Sequence, residues 1–177
     1  MTAIVATERP SLAQLWSWLG DVPDPEIPVI SVVDLGIVRD LAWHGDALQV
    51  TVTPTYSGCP ATEVIEADIV AALAARGVTD VKVALQLAPA WTTDWLAEPA
   101  REKLRAWGIA PPLPRVSASG GGKVIAIVGL QAAAPAVPCP RCGSVHTRLT
   151  SAFGSTPCKS LHVCNDCLEP FDHFKCH

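Results

Sequence analysis

Charge is scarce in this chain. Asp, Glu, Lys and Arg make up 17% of its 177 residues, and the formal net charge is −4. Residues 139–177 hold Arg141, Arg148, Lys159 and Lys175 against Asp166, Glu169 and Asp172, so that stretch is +1 and the remainder −5. Neither part is the basic surface on which sequence-independent nucleic-acid binding depends, which argues against nucleic acid as a partner. No run of 18 apolar residues occurs, so no membrane-spanning helix is expected. The opening "MTAIVATERP" lacks the basic and long apolar regions of a secretory signal. The expected compartment is therefore the cytoplasm, where thiols stay reduced. There is no Gly-rich nucleotide fingerprint, no Glu-x-x-His pair for a di-iron helix bundle, and no internal repeat. Cysteine is nearly missing from the first 138 residues, where Cys59 is the only one of seven.

What is present is apolar. Hydrophobic residues make up 49% of the chain, enough for a core in one small domain with a mini-domain beside it. "SLAQLWSWLGDV" reads as a helix capped by Ser11, with Leu12, Leu15, Trp16 and Leu19 on one face. Three prolines in "PDPEIP" break it, leaving Asp24 and Glu26 as solvated turn residues. A hairpin follows, turning at His44-Gly45-Asp46, with Leu48, Val50 and Val52 alternating against polar neighbours. A second helix carries Ala61, Val64, Ile65, Ile69, Ala72 and Leu73 on its apolar face and ends at Gly77. "VTDVKVALQL" is a third strand. A further helix spans "WTTDWLAEPAREKLRAWGI", with Trp95, Leu104 and Trp107 as packing residues and Pro99 in its first turn. The expected class is α+β: a three-stranded sheet with helices over residues 1–109, a Pro- and Gly-rich connection over 110–138 with a short strand at 123–130, and a cysteine-rich module over 139–177.

That module reads as a zinc ribbon. Cys139 and Cys142 form "CPRC", Cys164 and Cys167 form "CNDC", and 21 residues separate the pairs. Four thiolates suit tetrahedral Zn²⁺, and so short a segment needs a structural metal to order itself. An iron–sulfur cluster is the competing occupant. Cys158, Cys176 and His177 are left over, as ligands of a second labile metal or as small buried residues. His146, His162 and His173 fall in strand-like segments and receive no role.

Cys59 stands alone in "PTYSGCPAT". Pro60 suits a first helical position, which puts Cys59 at the N-cap, against unpaired backbone donors and the positive end of the helix dipole. Both favour thiolate over thiol, the form that attacks carbon or binds a soft metal. A small buried cysteine is the plain alternative. His44 could serve as a base across the hairpin, although no histidine is near in sequence. Asp34, between Val33 and Leu35-Gly36, either caps the next turn or faces the same cleft as Cys59.

"DPEIPVISVVDLGIV" followed by "TPTYSGCPA" resembles the iron–sulfur cluster assembly-like family of small α+β domains. The resemblance implies a reactive Cys59 that handles iron or a cluster, with Asp34 in the companion motif. With "WTTDWLAEPAREKLRAWGIAPP" and the four-cysteine tail added, all but the first ten residues resemble the PaaD family of bacterial phenylacetyl-CoA epoxidase components. The signal is weakest over 110–138. This resemblance implies an accessory protein of aerobic phenylacetate degradation. Its partners would be the di-iron oxygenase or the iron–sulfur flavoprotein reductase, and it would help to mature or maintain their metal centres as a homodimer. It implies a structural zinc, transient iron or cluster at Cys59, and no oxygenase catalysis of its own. A purely structural component of the complex and a Cys59-dependent thiol enzyme are the alternatives.

Overall fold

The structure, a computed structural model, describes residues 9–56, 58–113 and 136–175. The strand expected at 123–130, Cys176 and His177 lie outside these residues. The fold is α+β, with two compact units that divide after Ala100.

In the first unit, helix α1 (Leu12–Leu19) opens with a reciprocal cap. The Gln14 N–H donates to Ser11 Oγ at 3.3 Å, and the Ser11 N–H donates to Gln14 Oε1 at 2.9 Å. Leu15 and Leu19 are fully buried, Trp16 is half-buried and Leu12 is exposed, so the buried stripe is narrower than the periodicity predicts. The turn after α1 corrects one expectation. Asp24 is not solvated: it is buried, and its Oδ1 accepts the backbone N–H groups of Glu26 at 2.9 Å and Ile27 at 2.7 Å. Pro25 offers no donor, and the two N–H groups that follow it need an acceptor away from water.

Strands β1 (Val38–His44) and β2 (Ala47–Val52) form the expected hairpin, turning at Gly45 with φ +63°. Leu48, Val50 and Val52 all point into the core. Helix α2 (Thr62–Ala74) then crosses over to β3 (Val81–Leu85), which pairs parallel to β2 from Leu48↔Val81 to Val52↔Leu85. The sheet order is β1-β2-β3. α2 buries Ile65, Ile69 and Leu73, one residue per turn, and leaves Val64 exposed. Its end is closed by N–H donation from Gly77 to the Ala74 carbonyl and from Val78 to the Leu73 carbonyl, both at 3.0 Å, with Gly77 at φ +90°.

The single helix expected from residue 91 is two pieces. A 3₁₀ turn at Thr93–Trp95 is followed by α3 (Glu98–Trp107), and Leu96 between them is extended. A continuous helix would drive the Pro99 ring into the Trp95 carbonyl. α3 buries Ala100 and Leu104, but Trp107 lies beyond that stripe and is exposed, against expectation.

The second unit is a sheet in the order β4-β7-β6-β5, built from β4 (Ile109–Ala110), β5 (Thr147–Ser151), β6 (Lys159–Cys164) and β7 (Pro170–Phe174). β5, β6 and β7 run antiparallel in turn, and β4 lies parallel to β7. Its core gathers Ala110, Val137, Cys139, Cys164 and Phe171. No helix among the described residues is long and apolar enough to cross a membrane.

Candidate functional site

The four paired cysteines converge. Their sulfur atoms all lie within 4.8 Å of one another. Across the two knuckles, Cys139 Sγ is 3.7 Å from Cys167 Sγ, and Cys142 Sγ is 3.6 Å from Cys164 Sγ. A tetrahedron with metal–sulfur bonds of about 2.3 Å has edges of roughly 3.8 Å, so the donor set suits a tetrathiolate metal ion. Each knuckle supplies one buried sulfur, from Cys139 or Cys164, and one exposed sulfur, from Cys142 or Cys167.

Local backbone builds both knuckles. The Gly143 N–H donates to the Cys139 carbonyl at 2.9 Å, and the Cys139 N–H donates to the Ser144 carbonyl at 2.8 Å. Gly143 at φ +76° and Leu168 at φ +63° make the two sharp bends. The Cys167 N–H pulls the Cys164 thiol down to about 7. The Ser144 N–H likewise favours the Cys142 thiolate, but the sulfurs of Cys164 and Cys167 and the loss of water outweigh it and push that thiol up to about 12. Four crowded sulfurs do not all shed protons unless a cation shares their charge.

Three side chains that receive no role from the sequence stand beside this centre. Ser144 Oγ donates to Asp166 Oδ2, and His146 Nδ1 meets Asp166 Oδ1 at 3.0 Å. The Ser144 hydroxyl, then His146, hold the Asp166 carboxyl below the usual carboxylate range. The signal available in the sequence is positional: a serine two residues past one knuckle and an aspartate inside the other. Cys158 is buried, with Thr156 Oγ1 3.0 Å from its sulfur. His162 and His173 flank Ser160 on β6 and β7, at 3.1 Å and 3.5 Å from its hydroxyl.

Cys59 belongs to the first unit. It is not the N-cap: that place falls to Ala61, and the first regular bond of α2 runs from the Ile65 N–H to the Ala61 carbonyl at 2.9 Å. The Cys59 carbonyl instead accepts the Thr62 N–H at 3.2 Å, closing a tight turn around Pro60 just before the helix. Pro60 thus sits ahead of the regular ladder rather than as its first residue. The Cys59 side chain is half-buried and borders a cavity of about 20 Å³ lined by Ile37, Val52, Pro54, Thr55, Thr62 and Ile65. Its sulfur has no hydrogen-bond partner among the described residues.

His44 cannot serve it. It pairs with Ala47 at the hairpin turn, whereas Cys59 borders the Val38/Val52 end of the same strands. Six strand residues separate the two ends, roughly 20 Å. Asp34 makes a local turn instead of lining the cavity. Its Oδ2 accepts the Ser31 N–H at 3.1 Å, Ser31 Oγ accepts the Asp34 N–H at 3.0 Å, and its carbonyl accepts the Ala97 N–H at 2.9 Å.

The chain matches known families over parts of both units. Residues 12–85 match the family described as iron-sulfur cluster assembly protein, and residues 126–175 match the PaaD zinc beta ribbon domain. An Escherichia coli (strain K12) protein that carries the name of the D component of 1,2-phenylacetyl-CoA epoxidase is 47% identical over 176 residues, 99% of either chain. The Fe-S protein maturation auxiliary factor YitW of Bacillus subtilis (strain 168) is 36% identical over 85 residues, 47% of this chain and 82% of that one. Among solved structures, a domain of unknown function from Bacillus anthracis is 27% identical, with a TM-score of 0.48 over 52% of this chain and 89% of that one. The chain, with its iron–sulfur-assembly-like unit and its four-thiol ribbon, belongs to the PaaD family of phenylacetyl-CoA epoxidase components.

Proposed function

We propose that the protein is an accessory component of phenylacetate degradation. In this reading Cys59 transiently ligates iron or an iron–sulfur cluster bound for the oxygenase or the reductase of a phenylacetyl-CoA epoxidase. The observation that carries this reading is the Cys59 side chain itself: half-buried, beside a small cavity, with its sulfur unclaimed by any hydrogen bond among the described residues. Such a sulfur is screened from bulk water yet able to exchange a soft ion with a partner. The likeness to a maturation factor over 85 residues, and the iron-sulfur cluster assembly family match over residues 12–85, which include Cys59, support it. Asp34 acts by shaping the turn before β1, which leads to Ile37 on the cavity wall. The ribbon holds structural zinc, bound by Cys139, Cys142, Cys164 and Cys167, and the active form is a homodimer, both as the family resemblance implies.

Cys59→Ser tests the transfer. The variant should fold as the native protein does, while the oxygenase or reductase produced alongside it is under-metallated and epoxidation falls with metal content. Client metal content equal to that obtained with the native protein would sink the proposal. The relative's name, that of one part of the epoxidase, favours a second reading, that of a resident structural component. Fixed-stoichiometry co-purification with the epoxidase, indifferent to Cys59→Ser, would select that reading instead.

A further inference from the structure

We propose that Asp166 is a positioning residue for the four-thiol centre, a carboxylate clamp that joins the two cysteine knuckles and slows the loss of their metal. The inference rests on the metal reading of the four cysteines and is independent of Cys59.

The clamp is built from both sides. Asp166 lies inside the second knuckle, between Cys164 and Cys167. Both groups it meets lie just past the first knuckle: Ser144 Oγ at Oδ2, and His146 Nδ1 at Oδ1, the latter at 3.0 Å. The roles follow from the carboxylate, which only accepts. The Ser144 hydroxyl donates to Asp166 while its oxygen accepts the His146 backbone N–H at 3.0 Å. A carboxylate is acceptor-only, so His146 presents Nδ1–H to it. The Asn165 N–H, donating to the His146 carbonyl at 2.8 Å, adds a backbone tie between the same two loops.

The placement matters because of which sulfurs meet. The close pairs, Cys139 with Cys167 and Cys142 with Cys164, each join one knuckle to the other. Relative motion of the knuckles disturbs both pairs, and loss of a shared ion breaks bonds to both knuckles. A link between the loops that carry them opposes that motion directly. A second link, Arg141 Nε to Glu169 Oε1, spans 3.7 Å, beyond hydrogen-bond reach, and its side chains are exposed, as those of His146 and Asp166 are. An exposed ion pair with no hydrogen bond contributes little, whereas Asp166 accepts two hydrogen bonds, and bonds to a charged carboxylate are among the stronger ones. The two links therefore have different expected consequences, which makes the role of Asp166 separable from charge alone.

The test uses the full chain, loaded with zinc and mixed with excess chromogenic chelator. Asp166→Ala should release zinc about tenfold faster or more, the usual effect of losing a group that orients a metal's ligands. Asp166→Asn, which keeps one acceptor oxygen, should fall between, and Glu169→Gln should stay within about twofold of native. The ligand-field bands of the Co²⁺ form should move in Asp166→Ala, while the far-UV circular dichroism of the metal-saturated protein should not. Release by Asp166→Ala within about twofold of native, or equal acceleration by Glu169→Gln, overturns the clamp. If Asp166→Ala takes up no zinc, Ser144→Ala and His146→Gln decide: faster release by each supports the clamp, and native release in both refutes it. Native protein that binds no metal refutes the four-thiol metal reading instead.

Discussion

Gly36 and the backbone of Trp95 share one volume. A Cβ on Gly36 would lie 2.5 Å from the Trp95 carbonyl oxygen and 2.8 Å from its Cβ, and Gly36 itself has φ +67°. Gly36→Ala therefore meets a steric clash and a disfavoured backbone at once. We expect a stability loss of about 2–3 kcal/mol, read as a lower denaturant midpoint with an unchanged slope. A midpoint matching native would mean that the 3₁₀ turn yields freely.

Asp34 and Ser31 each accept the other's backbone N–H. Removing either side chain breaks a local cap worth about 1 kcal/mol. Asp34→Ala and Ser31→Ala should each cost that much, and the double variant clearly less than their sum. Full additivity would show that the two caps act separately.

The ribbon is expected to depend on its metal. Chelation, or replacement of buried Cys139 or Cys164 by Ser, should remove hydrogen-exchange protection from β5, β6 and β7. The amides of β1, β2 and β3 should keep theirs, since that sheet contains none of the four ligands. Protection in β6 that survives complete metal removal would contradict this.

Burial, and then the neighbouring His162, lower His173 to about 4. Below its ordinary value near 6.5, the unfolded chain takes up a proton that the folded chain resists, so this contribution is complete above that value and is lost as pH falls toward 4. The slope attributable to one such group is at most about 1.4 kcal/mol per pH unit. Denaturation of native protein and His173→Asn at about pH 7.5 and about pH 5, on either side of the ordinary value, isolates it: the variant should lose less stability between the two. Equal losses would mean that His173 takes up its proton as readily in the folded chain as in the unfolded one.

Local signals are legible wherever the deciding contact is itself local. Ser11 and Gln14 cap each other three residues apart, Gly45 sits in a hairpin turn, and Gly77 closes a helix; each choice is made within one turn of chain. The two cysteine doublets are legible for the same reason, because a metal site demands a fixed spacing within each knuckle. Trp107 reads as a packing residue yet is exposed, because helical period alone does not say where a buried stripe ends. Asp24 reads as solvated yet is buried, because its two partners are backbone groups whose isolation from water depends on the surrounding core.

By itself the sequence determined the α+β class, the order of the elements, the four converging cysteines and the isolation of Cys59, all carried by periodicity, turn chemistry and spacing. Only the tertiary structure decided that β3 lies parallel to β2, and that Asp166 meets Ser144 and His146 across 22 and 20 residues of chain. Those outcomes depend on which atoms meet after the chain has closed on itself, and contact between distant segments leaves no periodic trace along it.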